Sequence, residues 1–129
     1  METRNLWGES FKPEPIRTPS IILREQASLV GKLTEYMLDA NVDRDRTNDY
    51  IRLDLSINAP ALENYTYNVL SVTYDIHKIY PLTIRNQQTY KSQECSNEEE
   101  FVEALHSILS SDQVKKVIVN LLSQIKAES

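Results

Sequence analysis

The chain has 129 residues, a length that supports one hydrophobic core and not two. With 40% hydrophobic and 26% charged residues it has the composition of a globular protein, which excludes global disorder. The net charge is −5 and the 14 Lys and Arg residues are scattered, so the basic stripe that releases counterions from a nucleic acid is missing and no nucleic-acid partner is expected.

Other counts close further doors. Two glycines, Gly8 and Gly31, are too few for a phosphate-cradling loop, which needs several for close backbone approach. The single cysteine, Cys95, cannot form an intramolecular disulfide and fits a reducing compartment. Met1 to Trp7 lack the apolar run of a signal peptide, and no stretch approaches the roughly 20 apolar residues of a bilayer span. The expectation is a cytoplasmic, acidic protein without a membrane partner.

Residues 1–17 read as an extended arm. Pro13 and Pro15 bias their predecessors away from helix, while Leu6, Trp7, Phe11 and Ile16 are too apolar for a free tail. Docking of Trp7 and Phe11 on the domain's own core is favoured over docking on a partner. A single α+β domain then fills 18–129. Thr18 caps a first helix with Pro19 at its first position. Leu23, Ala27, Val30 and Met37, flanked by Ile22, Leu29, Leu33 and Tyr36, form a wide apolar stripe. Gly31 in mid-helix costs about 1 kcal/mol relative to alanine, which predicts close approach of a strand or another helix.

Asp43 to Asp49 reads as a polar loop of alternating charge. The period then becomes two: Ile51, Leu53, Leu55 and Ile57 alternate with polar residues, a strand with one wet face. A second strand, about Tyr65 to Ile76, changes parity between Tyr65, Tyr67, Val69 and Leu70, Val72, Tyr74, Ile76. A β-bulge near Val69 and Leu70 reconciles the two sets. After a tight connection at His77 and Lys78, Tyr80, Leu82 and Ile84 make a third strand, expected to be an edge or to bend at Pro81. Gln87 to Cys95 reads as loop. Ser96 and Glu99 have capping-box spacing ahead of a second helix, and Ser110 and Gln113 repeat it ahead of a third. The expected fold is α+β, a three-stranded antiparallel meander with one helix before it and two after it, packed on one face.

Chemistry is sparse. Cys95 with His77 or His106 is the only available nucleophile–base pairing, and nothing in the spacing supports it. There is no HExxH or CxxC, so no metal site and no cofactor is expected. Asp75 and His77 share a strand face, but a solvated pair at a strand end explains them. Asp43, Asp45 and Asp49 lack the glycine and closing glutamate of an EF-hand loop, and Glu98 to Glu100 suit the first turn of a helix. The chain is not expected to be an enzyme. Seven tyrosines stand out. If Leu70, Val72, Tyr74 and Ile76 face the helices, Tyr65 and Tyr67 reach the exposed face, where tyrosine serves as an interface anchor.

The stretches from Pro19 to Gly31 (PSIILREQASLVG) and from Ala59 to Tyr65 (APALENY) resemble segments of a family of small bacterial proteins. The resemblance covers most of the chain from Pro19 onward, implies a bacterial origin and carries no activity. It draws attention to Arg24, Glu25, Gln26, Asn64 and Tyr65. The first functional expectation is a non-catalytic protein-interaction module, immunity- or antitoxin-like or a regulatory subunit. Its anchors are Tyr65, Tyr67, Trp7 and Phe11, and its partner is another protein or a second copy of itself. The alternative is a small-ligand-binding sensory domain with a pocket between the first helix and the sheet, near Arg24, Gln26 and Asn64.

Overall fold

A computed structural model describes residues 3–129; Met1 and Glu2, the start of the expected arm, lie outside the described residues. The elements are α1 (Pro19–Leu33), β1 (Asp39–Thr47), β2 (Tyr50–Ala59), a single 3-10 turn (Pro60–Leu62), β3 (Tyr65–Asp75), β4 (Lys78–Asn86), β5 (Ser92–Cys95), α2 (Glu98–Leu109) and α3 (Asp112–Ala127). The strands form one antiparallel sheet in chain order. The α+β class stands, but the meander has five strands rather than three.

The two added strands take in polar stretches read as loops, residues 43–47 in β1 and 92–95 in β5. β1 carries only Ala40 and Val42 as partly buried positions, yet it pairs with β2 along its whole length, from Asp39 opposite Asn58 to Thr47 opposite Tyr50. Backbone pairing holds it, not side-chain burial, and its charges suit an edge that must not recruit another chain. β5 is four residues long, and Cys95 opposite Leu82 is its buried anchor.

α1 starts as expected, with the Thr18 hydroxyl accepting from Ile21 N–H at 3.3 Å and Pro19 in the first turn. It stops at Leu33, four residues short of Met37. Glu35 and Tyr36 take left-handed φ values of 51° and 62°, and Tyr36 N–H donates to Gly31 O at 2.7 Å. The buried Thr34 hydroxyl donates to Val30 O at 2.8 Å and accepts from Leu38 N–H at 3.2 Å, tying the helix end to the start of β1. Gly31 is approached by the Tyr36 ring, which a Cβ there would meet at 3.3 Å, and not by a strand or another helix.

The later helices are each capped one residue downstream of the expected position. Asn97, not Ser96, caps α2, accepting from Glu100 N–H at 2.9 Å, while Glu100 accepts from Ser96 N–H at 2.8 Å. Ser111, not Ser110, caps α3; the Ser110 hydroxyl donates to His106 O at 2.6 Å and closes α2. Competing polar residues stand side by side at both starts. Burial of Phe101, Leu105 and Ile108 in one helix and of Val114, Leu121 and Ile125 in the other selects between them.

The bulge lies where the parity change puts it. Leu55 pairs with Leu70 and Ser56 with Asn68, so Val69 is the extra residue. Gln87 N–H donates to Val69 O at 3.1 Å and the Gln88 side chain to the same oxygen at 3.0 Å, which satisfies the group that the bulge frees. The consequence for the tyrosines differs from expectation. Beyond the bulge Tyr67 pairs with Ile57 and Tyr65 with Ala59, so both share the helix-bearing face with Leu70 and Val72. The bulge restores the facing of the apolar set; it does not split it between faces.

The far face is polar. Its rows carry Asp43, Asp45, Arg52, Asp54, Ser71, Thr73, Thr83, Arg85 and Glu94, with Tyr50 as a marginal aromatic. Such a face is stable in water without a cover. β4 is not an edge strand; Tyr74 alone stands opposite residues 79–82, so the pairing breaks and the strand bends around Pro81.

Candidate functional site

The three helices lie on one face and do not close over it. α1 packs on β1 and β2, and α2 on β4 and β5. The space between them is left to α3, whose Val114 and Ile118 look across an apolar cavity of about 150 Å³. Its floor is Leu55, Ile57, Val69 and Ala40 from the sheet, and its first wall is Ala27, Leu29, Val30 and Leu33 of α1. Val69 belongs to the bulge, so the irregularity that sets the strand's facing also supplies a floor side chain. Gln26 is the single polar residue lining the cavity.

A wider cleft of about 520 Å³ adjoins it, sharing Gln26 and Leu109, and runs between the N-terminal half of α1 and α2. Its apolar part is Ile22, Val102 and Leu105; its rim carries Arg17, His106, Ser110 and Lys115, with no acidic lining residue. Arg17 is engaged by Glu25 and, at 3.9 Å, by Glu98, all about half exposed, so these pairs contribute at most about 1 kcal/mol. Lys115 and His106 make no ion pair among the described residues. At the other end Leu33, 78% exposed, and Val119, 58% exposed, flank a shallow extension along the end of α1.

Of the three expected ligand-binding residues, only Gln26 touches this space. Arg24 is exposed on α1 and lines neither cavity nor cleft. Asn64 sits in the β2–β3 connection with a left-handed φ of 58°. The residues that do build the site, Leu29, Leu33, Val69, Leu109, Ile118 and Lys115, were not singled out as binding residues. A signal exists for Leu29 and Leu33 alone: the apolar stripe of α1 is wider than contact with two strands requires.

The expected interaction residues fall in two places. Tyr65, about half exposed, borders Val117 and Leu121 of α3, while Tyr67 packs against the core. Burial pushes the Tyr67 phenol up, only partly offset by the Gln88 amide; no hydrogen bond of good geometry reaches the Tyr67 hydroxyl or the Gln88 Oε1. Trp7 and Phe11 are 81% and 72% exposed and touch each other edge to face at 6.2 Å. The arm therefore does not dock on its own core.

The weighed nucleophile and bases are not joined. Cys95 is fully buried at the end of β5, burial pushes its thiol up, and a raised thiol is a poor nucleophile. No hydrogen bond links it to either histidine among the described residues. His77 Nδ1 lies 3.0 Å from Asp75 in an exposed turn, where the His77 backbone N–H does most to lower the carboxyl. No group of three or more His, Cys, Asp or Glu is placed to hold a metal ion among the described residues. No helix described is long and apolar enough to cross a membrane. Comparison of the chain with models of protein families, with curated proteins and with solved structures finds no match.

Proposed function

We propose that the chain is a non-catalytic, ligand-binding sensory domain whose site is the cavity between α1, the sheet and α3. The observation that carries this reading is the apolar cavity itself, open at its rim and floored by core residues of β2 and β3. Apolar cavities of this size stay dry and accept small hydrophobic molecules, and the adjoining cleft brings the combined space into the range of ligand pockets. Titration with benzene or 1-hexanol should shift the methyl resonances of Leu29, Val69 and Ile118 while leaving those of Leu82 and Ile84 in place. Methyl spectra unchanged at saturating probe would refute it.

A protein-interaction module is the second reading, favoured by the arm, where Leu6, Trp7 and Phe11 stand almost free of the domain. Aromatic residues on an extended segment are suited to anchoring on a partner. A captured partner that binds a Trp7→Ala/Phe11→Ala variant as well as the parent protein would count against it.

A further inference from the structure

We infer that the ligand of this site is an anionic amphiphile, a monocarboxylate with an apolar tail of about six to eight carbons; the inference rests on the ligand-binding reading above. Two features meet at Gln26 and Leu109. On one side lies the apolar cavity, about 150 Å³ and lined almost wholly by aliphatic side chains. On the other, the cleft carries Arg17, His106 and Lys115 in a chain whose net charge is −5. Arg17 is offset there by Glu25 and Glu98, so Lys115 is the one cation of the cleft without an ion-pair partner among the described residues, and it stands near the mouth of an apolar hole.

The two halves select different ends of one molecule. The cavity holds a group of about benzene size, and its walls offer a charged group no hydrogen-bonding partner except Gln26, so a charge has to stay outside. Just outside, Lys115 is exposed and makes no ion pair among the described residues, in a cleft it lines together with Ser110 and His106. A carboxylate there gains a charge-assisted hydrogen bond. Arg17 is secondary, because Glu25 and Glu98 already engage it. A cationic amphiphile would meet Lys115 with the wrong sign.

The test is calorimetric titration of the full chain at pH 7 with octanoate, 1-octanol and octylammonium. Octanoate should bind about three- to five-fold more tightly than 1-octanol, and octylammonium should bind most weakly of the three. Lys115→Glu should weaken octanoate about ten-fold or more and leave 1-octanol unchanged. Lys115 is exposed in the first turns of α3, where a glutamate suits the helix dipole, so the variant should fold; Lys115→Gln gives the same comparison without reversing charge. Equal binding of octanoate and 1-octanol, or indifference of octanoate to both variants, overturns the inference while leaving the apolar-ligand reading standing. Failure of all three probes overturns both. A stable dimer by light scattering that excludes octanoate would give the cleft to a second copy and also overturns it.

Discussion

Filling the cavity from its α1 wall should stabilise the protein. Ala27 lines the cavity and is 8% exposed. Replacing it with leucine adds three carbons to space lined almost wholly by apolar side chains. At about 0.8 kcal/mol per buried methylene the transfer gain is about 2.4 kcal/mol; ordering the leucine side chain costs about 0.5–1 kcal/mol, leaving about 1.5 kcal/mol. Alanine and leucine differ little in helix propensity, so the backbone adds almost nothing. For a domain of this size the gain corresponds to about 5–7 °C in Tm. Urea unfolding followed by the helical far-UV signal is the suitable assay. Fluorescence is not, because Trp7, the single tryptophan, is 81% exposed on the arm and far from reporting the core. The midpoint should rise with m unchanged. A lower midpoint at the same m would mean that leucine overpacks a filled space, and the cavity would lose its standing as a site.

Three further outcomes follow from the same structure. Phe101, fully buried where α2 meets the sheet, should cost about 3–5 kcal/mol as Phe101→Ala, a large part of a typical domain stability, measurable by denaturant titration. Thr34→Val strands the buried Leu38 N–H and should lower stability by about 1–3 kcal/mol in the same assay, with accelerated amide exchange at Leu38. Burial raises Cys95, Tyr67 and Tyr80 above their ordinary values of 9.0 and 10.0, so in alkaline solution the unfolded chain binds fewer protons than the folded one. Stability should therefore be intact below about pH 9 and fall as pH rises through the raised values; a flat pH profile there, with the Cys95→Ala variant identical to the parent, would refute that assignment.

Arg17 shows how little a surface charge pair decides here. It bridges the starts of α1 and α2, yet its partners are as exposed as it is. Exposed pairs of this kind contribute at most about 1 kcal/mol.

What the amino-acid order settled by itself was local. Thr18 and Pro19 mark the start of α1, and the alternation from Ile51 to Ile57 names β2 and its wet face. The parity change places the bulge near Val69 and Leu70, and the pairing of β2 with β3 narrows it to Val69. Each is a signal carried within one element by dihedral preference or side-chain period. β1 and β5 lacked such a signal, because a charged edge strand and a four-residue strand are held by backbone hydrogen bonds to neighbours that sequence does not name. The cap positions were undecided between adjacent residues until tertiary burial chose. The facing of Tyr65 and Tyr67 depended on how β3 resumes its pairing with β2 after the bulge, a relation between strands and not a property of either. The cavity is the extreme case. It is the volume that three helices leave unfilled over one sheet, and no residue carries it; it exists only in the spacing of α1, α3 and the strands beneath them.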